Sequence, residues 1–258
     1  ESKGTRATGA EQVDTSLYNA MTGAVQNTQA TAGHANSLAS VTTTGFRADF
    51  AQARAMPVYG EILPSRAYAL TETPATDMKS GTMLETGRNL DVAVSGEGWI
   101  AVQAPDGSEA YTRAGDLKID INGVLRTGTG LPVIGNGAPI ALPPIQTVQI
   151  GVDGTISVRP LGATAQEVAE IDRIKLVNPD SRQLVKGTDG LMHSRDGAPL
   201  PAAAEVRLES GFLESSNVNS VAALTDLISL SRQFEMQIKL MRTAEQNADA
   251  SARLLQFS

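Results

Sequence analysis

From Thr15 to Thr44 the chain carries no formally charged residue, and apolar side chains recur at alternating spacings of four and three. Leu17, Met21 and Ala24, then Thr28, Thr31, Ala35 and Leu38, fall on one helical stripe, most of it apolar. The remaining face holds Asn19, Gln26, Asn27 and Gln29, which bond hydrogen without charge. Such a face suits packing among neighbouring helices, where an unpaired charge would be costly to desolvate. Gly45 is expected to stop this helix, as glycine often does at a C-terminal cap.

The period then shortens to two. Leu90, Val92 and Val94 alternate with small or polar residues, and Trp99-Ile100-Ala101-Val102 follows Gly96-Glu97-Gly98. Pro105-Asp106-Gly107-Ser108 predicts a turn. Leu117, Ile119 and Ile121 lead into Asn122-Gly123, a strong hairpin signal. Val148, Ile150 and Val152 do the same before Asp153-Gly154, with Ile156 and Val158 beyond. Between the first helix and these strands, Pro57, Gly60, Pro64 and Pro74 favour extended chain.

Helical spacing returns at Asn217–Asn219, where asparagine is a favoured N-cap. Leu224, Leu227, Ser231, Phe234, Ile238, Met241, Glu245, Ala248, Ala252 and Leu255 mark a heptad seam, broken only by Ser231 and Glu245. Charges here balance, and Glu235 precedes Lys239 by one helical turn, the favourable order. Met236, Leu240 and Leu254 lie off the seam and add apolar surface.

These patterns predict an α+β chain: a mainly-β central domain flanked by long N- and C-terminal α-helices that pair as an antiparallel coiled coil. The expected divisions are an accessory or disordered extension over 1–12, a helix over 13–45, an extended linker over 46–75, a β-rich outer domain over 76–214 and a second helix over 215–258. Leu17, Met21, Leu38, Leu224, Leu227, Phe234, Ile238, Met241 and Leu255 are the expected assembly interface. A head-to-tail contact through such helices that does not close makes a filament or tube.

Composition narrows the chemistry. The net charge of −7 argues against nucleic acid, which needs clustered Lys and Arg. No apolar run approaches the roughly 20 residues that span a bilayer, so no membrane insertion is expected. The absence of cysteine excludes disulfides, thiolate ligands and thiol catalysis. Aromatic residues are only 4% of the chain, so burial must be spread over many small aliphatic contacts. The polar start, Glu1-Ser2-Lys3-Gly4-Thr5-Arg6, lacks the apolar core of a secretory signal.

Two segments carry a resemblance. Leu38-Ala39 with Thr43, Gly45, Phe46 and Arg47 is similar to the N-terminal signature of bacterial flagellar rod and hook proteins. It departs at Ser37 and Ser40, where that family usually has Asn, and at Thr44, where Pro is usual. Gly211-Phe212-Leu213-Glu214-Ser215-Ser216-Asn217-Val218-Asn219 resembles the C-terminal signature almost residue for residue. Arg88-Asn89-Leu90-Asp91-Val92-Ala93-Val94 and Tyr111-Thr112-Arg113-Ala114-Gly115 resemble the entrance to the family's β domain. Gly98-Trp99 and Arg232-Gln233-Phe234-Glu235 are most similar to its proximal-rod members rather than its distal-rod ones. Val13 then falls where the usual initiator Met stands, leaving 1–12 without counterpart.

The resemblance implies a structural subunit of the proximal rod in the flagellar basal body, within the periplasmic space. Its terminal helices would form an inner tube around the export channel, and its β domain would sit outside. Implied partners are other rod proteins, copies of itself and the flagellar type III export apparatus. A distal-rod protein, a secreted β-domain binding module and a glycosidase using two distant carboxylates are the alternatives.

No catalytic, cofactor-binding or metal residue is nominated. His34 and His193 lack sequence partners that would make them ligands. Asp120-Ile121-Asn122-Gly123 is similar to part of a calcium loop, but Lys118 occupies a ligand position and no closing Glu follows. Gly128-Thr129-Gly130 lacks the third glycine and the helix of a nucleotide site.

Overall fold

The structure, a computed structural model, describes residues 9–50, 53–59, 64–71, 75–160 and 168–256, with side chains described for 21–49, 76–160, 168–247 and 250. In chain order it runs α1 (Gly9–Ala39), β1 (Asp49–Phe50), β2 (Ala53–Tyr59), β3 (Pro64–Thr71), β4 (Ala75–Thr76), β5 (Met83–Glu85) and β6 (Val92–Ser95). There follow β7 (Trp99–Gln103), β8 (Glu109–Thr112), β9 (Leu117–Ile119), β10 (Leu125–Thr127), β11 (Ile145–Ile150) and β12 (Thr155–Pro160). The last elements are β13 (Ala169–Arg173), β14 (Leu176–Val177), β15 (Leu184–Lys186), β16 (Met192–Ser194), β17 (Arg207–Ser210), β18 (Phe212–Glu214) and α2 (Ser220–Gln256). The chain divides into two compact units, Glu1–Ala39 with Asp49–Ala75 and Asn219–Ser258, and Ser40–Ala48 with Thr76–Val218.

The second unit is a β body. Its largest sheet orders β14-β7-β8-β16-β15, and β11-β12-β13 form a second; β9 with β10, β5 with β18 and β6 with β17 make antiparallel pairs. All three turns expected from sequence are present: Gly107, Gly123 and Gly154 take φ of 86°, 81° and 86°, conformations that suit glycine. An aspartate sets each turn. Asp106 accepts from Ser108, Asp120 from Asn122 and Val124, and Asp153 from Thr155, all through backbone amides. Hydrogen bonds from Ser108, Arg126 and Thr155 respectively hold these carboxyls below their ordinary pKa.

Strand burial departs from simple alternation in β7, where Trp99, Ile100, Ala101 and Val102 are all buried, and in β6. Val92, Ala93 and Val94 are all buried, because β6 is covered on both faces. Ile121 is fully exposed because it stands in the turn after β9, and Val152 is exposed for the same reason after β11. The core is aliphatic, centred on Ile100, Leu117, Leu125, Ile140, Ile156 and Leu208. Each such side chain contributes roughly 1.5–3 kcal/mol when buried.

In the first unit, α1 ends at Ala39, six residues before Gly45, and a turn from Thr43 N to Ser40 O follows. The β-branched run Val41-Thr42-Thr43-Thr44 explains the early stop, since each loses side-chain freedom in a helix. Residues 9–12 already belong to α1, and β2 pairs with β3 as an antiparallel hairpin within the stretch expected to be a linker. At the other end Asn219 caps α2: its Oδ1 accepts from Val221 N and Ala222 N, both at 3.1 Å.

The expected coiled coil is corrected. The described residues hold two helices, one near each end, around a mainly-β central region, and the heptad seam does not close. Met21, Leu224 and Phe234, chosen as knobs, are 52%, 52% and 39% exposed. Where α1 packs on α2 the seam is made of small and polar side chains rather than large knobs: Ala24 and Ala223 are buried, Asn27 Nδ2 donates to the Leu230 carbonyl at 2.9 Å, and Gln237 lies over Gly23. The reason lies in α1. Thr28 and Thr31 turn their hydroxyls back to the carbonyls of Ala24 and Asn27, so two seam positions offer no apolar knob. No helix among the described residues is long and apolar enough to cross a membrane.

Candidate functional site

The two signature segments meet inside the β body, around Glu214. A strap over Ser40–Ala48 belongs to this unit although α1 precedes it directly in the chain. The strap is laid down by Gly45, whose φ of +66° suits glycine. A Cβ there would also stand 2.3 Å from the Arg113 carbonyl carbon, so only glycine fits. Gly45 N donates to the Glu214 carbonyl at 2.8 Å, and Asn217 N donates to the Phe46 carbonyl at 3.3 Å.

Glu214 is almost wholly buried on β18 and faces two arginines. Its Oε2 accepts from Arg113 Nη1 at 3.0 Å; its Oε1 lies 2.7 Å from Arg47 Nη1 and accepts from Gly81 N at 2.8 Å. Both guanidinium groups also lie over the single tryptophan, Arg47 at 5.7 Å and Arg113 at 5.4 Å from the Trp99 ring centre. Arg113 is further tied to the carbonyls of Gly96 at 2.8 Å and Val94 at 3.4 Å. Burial pushes the Arg113 guanidinium below its ordinary pKa; Glu214 opposes that shift, and Arg47 adds to it. Arg47 is arranged differently. Its approach to Glu214 is an ion pair out of hydrogen-bond alignment, and none of its guanidinium nitrogens has a hydrogen-bond partner among the described residues.

Asn217 makes the second tie. Its Oδ1 accepts from Ala48 N at 2.8 Å, while Nδ2 donates to the carbonyls of Asp77 and Lys79, each at 3.0 Å. Thr44 donates its hydroxyl to Asp116 Oδ1 at 3.0 Å, and Lys186 Nζ donates to the Arg47 carbonyl at 2.7 Å while standing 4.2 Å from the Phe46 ring centre. Segments 40–48, 76–82 and 211–218 are thus held together at one place. The arrangement binds chain to chain.

Several signature positions converge here: Gly45, Phe46, Arg47, Glu214 and Asn217. Ser216 accepts from Val218 N nearby, and Gly211 donates to the Asp91 carbonyl. Thr43 shapes the turn after α1, Leu213 is half-buried on β18, and Asn219 caps α2. Leu38 and Ala39 are the last residues but one and last of α1. Trp99 and Arg113 were motif residues in the sequence with no assigned partner; a buried arginine that needs a carboxylate is the signal that could have paired them. Gly81 and Lys186 gave no signal.

The expected assembly residues are elsewhere. Leu38, Leu227, Ile238 and Met241 are half-buried, Met21, Leu224 and Phe234 are exposed, and the side chains of Leu17 and Leu255 lie outside the described residues. His34 Nδ1 lies 4.0 Å from Asp226, and His193 Nε2 3.0 Å from Asp189. No group of three metal-ligating side chains occurs among the described residues.

A β body closed by this junction, with a helix at each end of the chain, defines a class whose members are recognised at both places. Residues 209–254 match the family described as flagellar basal body rod FlgEFG protein C-terminal, and residues 93–158 match the flagellar hook protein FlgE/F/G D1 domain. The chain belongs to the FlgF-like family of flagellar basal-body rod proteins. It is 42% identical over 252 residues to the flagellar basal-body rod protein FlgF of Escherichia coli K12, covering 95% of this chain and 100% of that one. The FlgF of Salmonella typhimurium is 40% identical over the same shares of both chains. A FlgG rod protein of Buchnera aphidicola is 30% identical over 238 residues, covering 82% of this chain and 88% of the relative.

Proposed function

We propose that this chain is a non-enzymatic structural subunit of the proximal rod of the bacterial flagellar basal body. It joins copies of itself and other rod proteins through its terminal helices, forming part of the hollow shaft that transmits torque and surrounds the export channel. The flagellar type III export apparatus delivers it, and its place is the periplasmic space. Leu17, Met21, Leu38, Leu224, Leu227, Phe234, Ile238, Met241 and Leu255 contribute the assembly surface.

One observation carries this reading: α2 exposes Val221, Leu224, Ile228, Met236 and Leu240, each at least half exposed, on a helix whose polar contacts to α1 leave them uncovered. Large aliphatic groups in such number along one helix fit burial by other protein chains. The junction supplies the complementary property. Its ion pair and hydrogen bonds gather segments 40–48, 76–82 and 211–218 at the place where the chain enters and leaves the β body.

The test is genetic and structural together. Cells lacking this chain are expected to be non-motile with truncated rods in electron micrographs of basal bodies. Supplying the intact chain restores both, whereas Ile238→Asp, which places a charge on the half-buried α2 surface, restores neither while its β body stays folded. Normal basal bodies and swimming in the deletion strain would defeat the proposal.

A further inference from the structure

We infer that the strap Ser40–Ala48 is a latch that opens from the β body as a unit, while the Arg113–Glu214 pair behind it stays closed. The strap is bound by polar ties at Gly45, Thr44, Arg47, Asn217 and Lys186, most of them only part-buried. It has no buried apolar side chain. Its one buried residue is Arg47, at 3% exposure, so docking the strap gains little from the hydrophobic effect.

Charge weakens the docked state further. One buried carboxylate, Glu214, faces two buried cations, and the other carboxylate acting on Arg113, Glu97, is exposed to solvent, so the buried groups carry more positive than negative charge. The two arms are unequal. Arg113 has hydrogen bonds to Glu214, Gly96 and Val94, whereas among the described residues Arg47 has the ion contact and the Trp99 ring but no hydrogen bond from its guanidinium. Undocking Arg47 returns one cation to water and leaves a balanced pair; undocking Arg113 would orphan two backbone carbonyls. A segment with few buried apolar contacts and part-exposed hydrogen bonds opens at a free energy below that of global unfolding. Because the strap is the piece of chain between α1 and β1, its opening frees the chain to leave the β body in a new direction. The use of that freedom during incorporation into the rod rests on the function proposed above; the opening itself does not.

Hydrogen exchange on the full chain, followed by mass spectrometry, tests the latch. The amides of Gly45 and Ala48, which donate to Glu214 and Asn217, are expected to exchange at least tenfold faster than those of β6 and β17, by a step that leaves the latter protected. Equal protection of strap and β6, lost in one transition, would overturn the inference. Arg47→Met keeps most of the volume and removes the excess charge, so strap protection should hold or rise, with the fluorescence of Trp99 remaining that of a buried ring. A tenfold or greater loss of strap protection in that variant, with β6 unaffected, would equally overturn it, because Arg47 would then be the strap's main anchor. Neither readout involves rod assembly, so failure of the latch and failure of the rod assignment are distinguishable.

Discussion

Glu214 is where a single change reaches furthest. Its carboxylate answers Arg47, Arg113 and the amide of Gly81 at once, with almost no exposure to solvent. Glu214→Gln keeps the shape and removes the charge, leaving two buried guanidinium groups to repel each other. A cost of roughly 3–5 kcal/mol is expected, the range for breaking a buried ion pair from one side. Urea denaturation of the purified chain checks this, and a shift under about 1 kcal/mol would mean that water or a rearranged carboxylate already serves the arginines. The sequence made Glu214, Arg47 and Asn217 visible as signature residues, yet not as one site. Arg47 and Glu214 stand in segments far apart in the chain, and no periodicity reports a contact between a strap and a distant strand. Arg113 and Trp99 were hidden for the same reason.

Elements were legible where local chemistry decides them. Asn122-Gly123, Asp153-Gly154 and Pro105-Asp106-Gly107 set their turns through glycine φ values and aspartate side chains, both of which are readable from neighbours alone. The cap of α2 is another such case. Asn219→Ala removes the acceptor for two amides of the first turn and should cost about 1 kcal/mol. The loss should appear as faster exchange of Val221 and Ala222 amides with β6 unchanged; unchanged exchange there would show that the turn is held by something other than its cap. The helix seam was less legible. On α2 the buried or half-buried positions include Ala223, Leu227, Leu230, Gln237 and Met241, whereas the heptad reading placed Leu224, Ser231 and Phe234 alongside Leu227 and Met241. Two stripes one residue apart share the same period, and both contain aliphatic residues. Only the partner decides between them, and α1 offers carboxamides, threonines and a glycine rather than knobs.

At the scale of the molecule, stability and assembly are assigned to different residues, and that separation can be measured. The β body rests on aliphatic side chains such as Ile100, Leu117 and Leu208, buried away from solvent. The stripe of Val221, Leu224 and Ile228 is 74%, 52% and 50% exposed and gives the isolated chain little. Replacing Leu224 and Ile228 together by Asp should therefore change the unfolding free energy of the β body, measured in urea, by no more than the scatter of surface substitutions, about 0.5 kcal/mol each. In an assembly that buries the stripe, the same two carboxylates would enter an apolar contact with no cation opposite them. Incorporation should fall steeply, because an unpaired buried charge costs far more than the lost aliphatic contacts. The comparison pairs denaturation of the purified variant with its recovery in basal bodies isolated from cells that express it. A variant that is destabilised in isolation would locate the stripe in the chain's own core, whereas a stable variant absent from the rod locates it in the joint between chains.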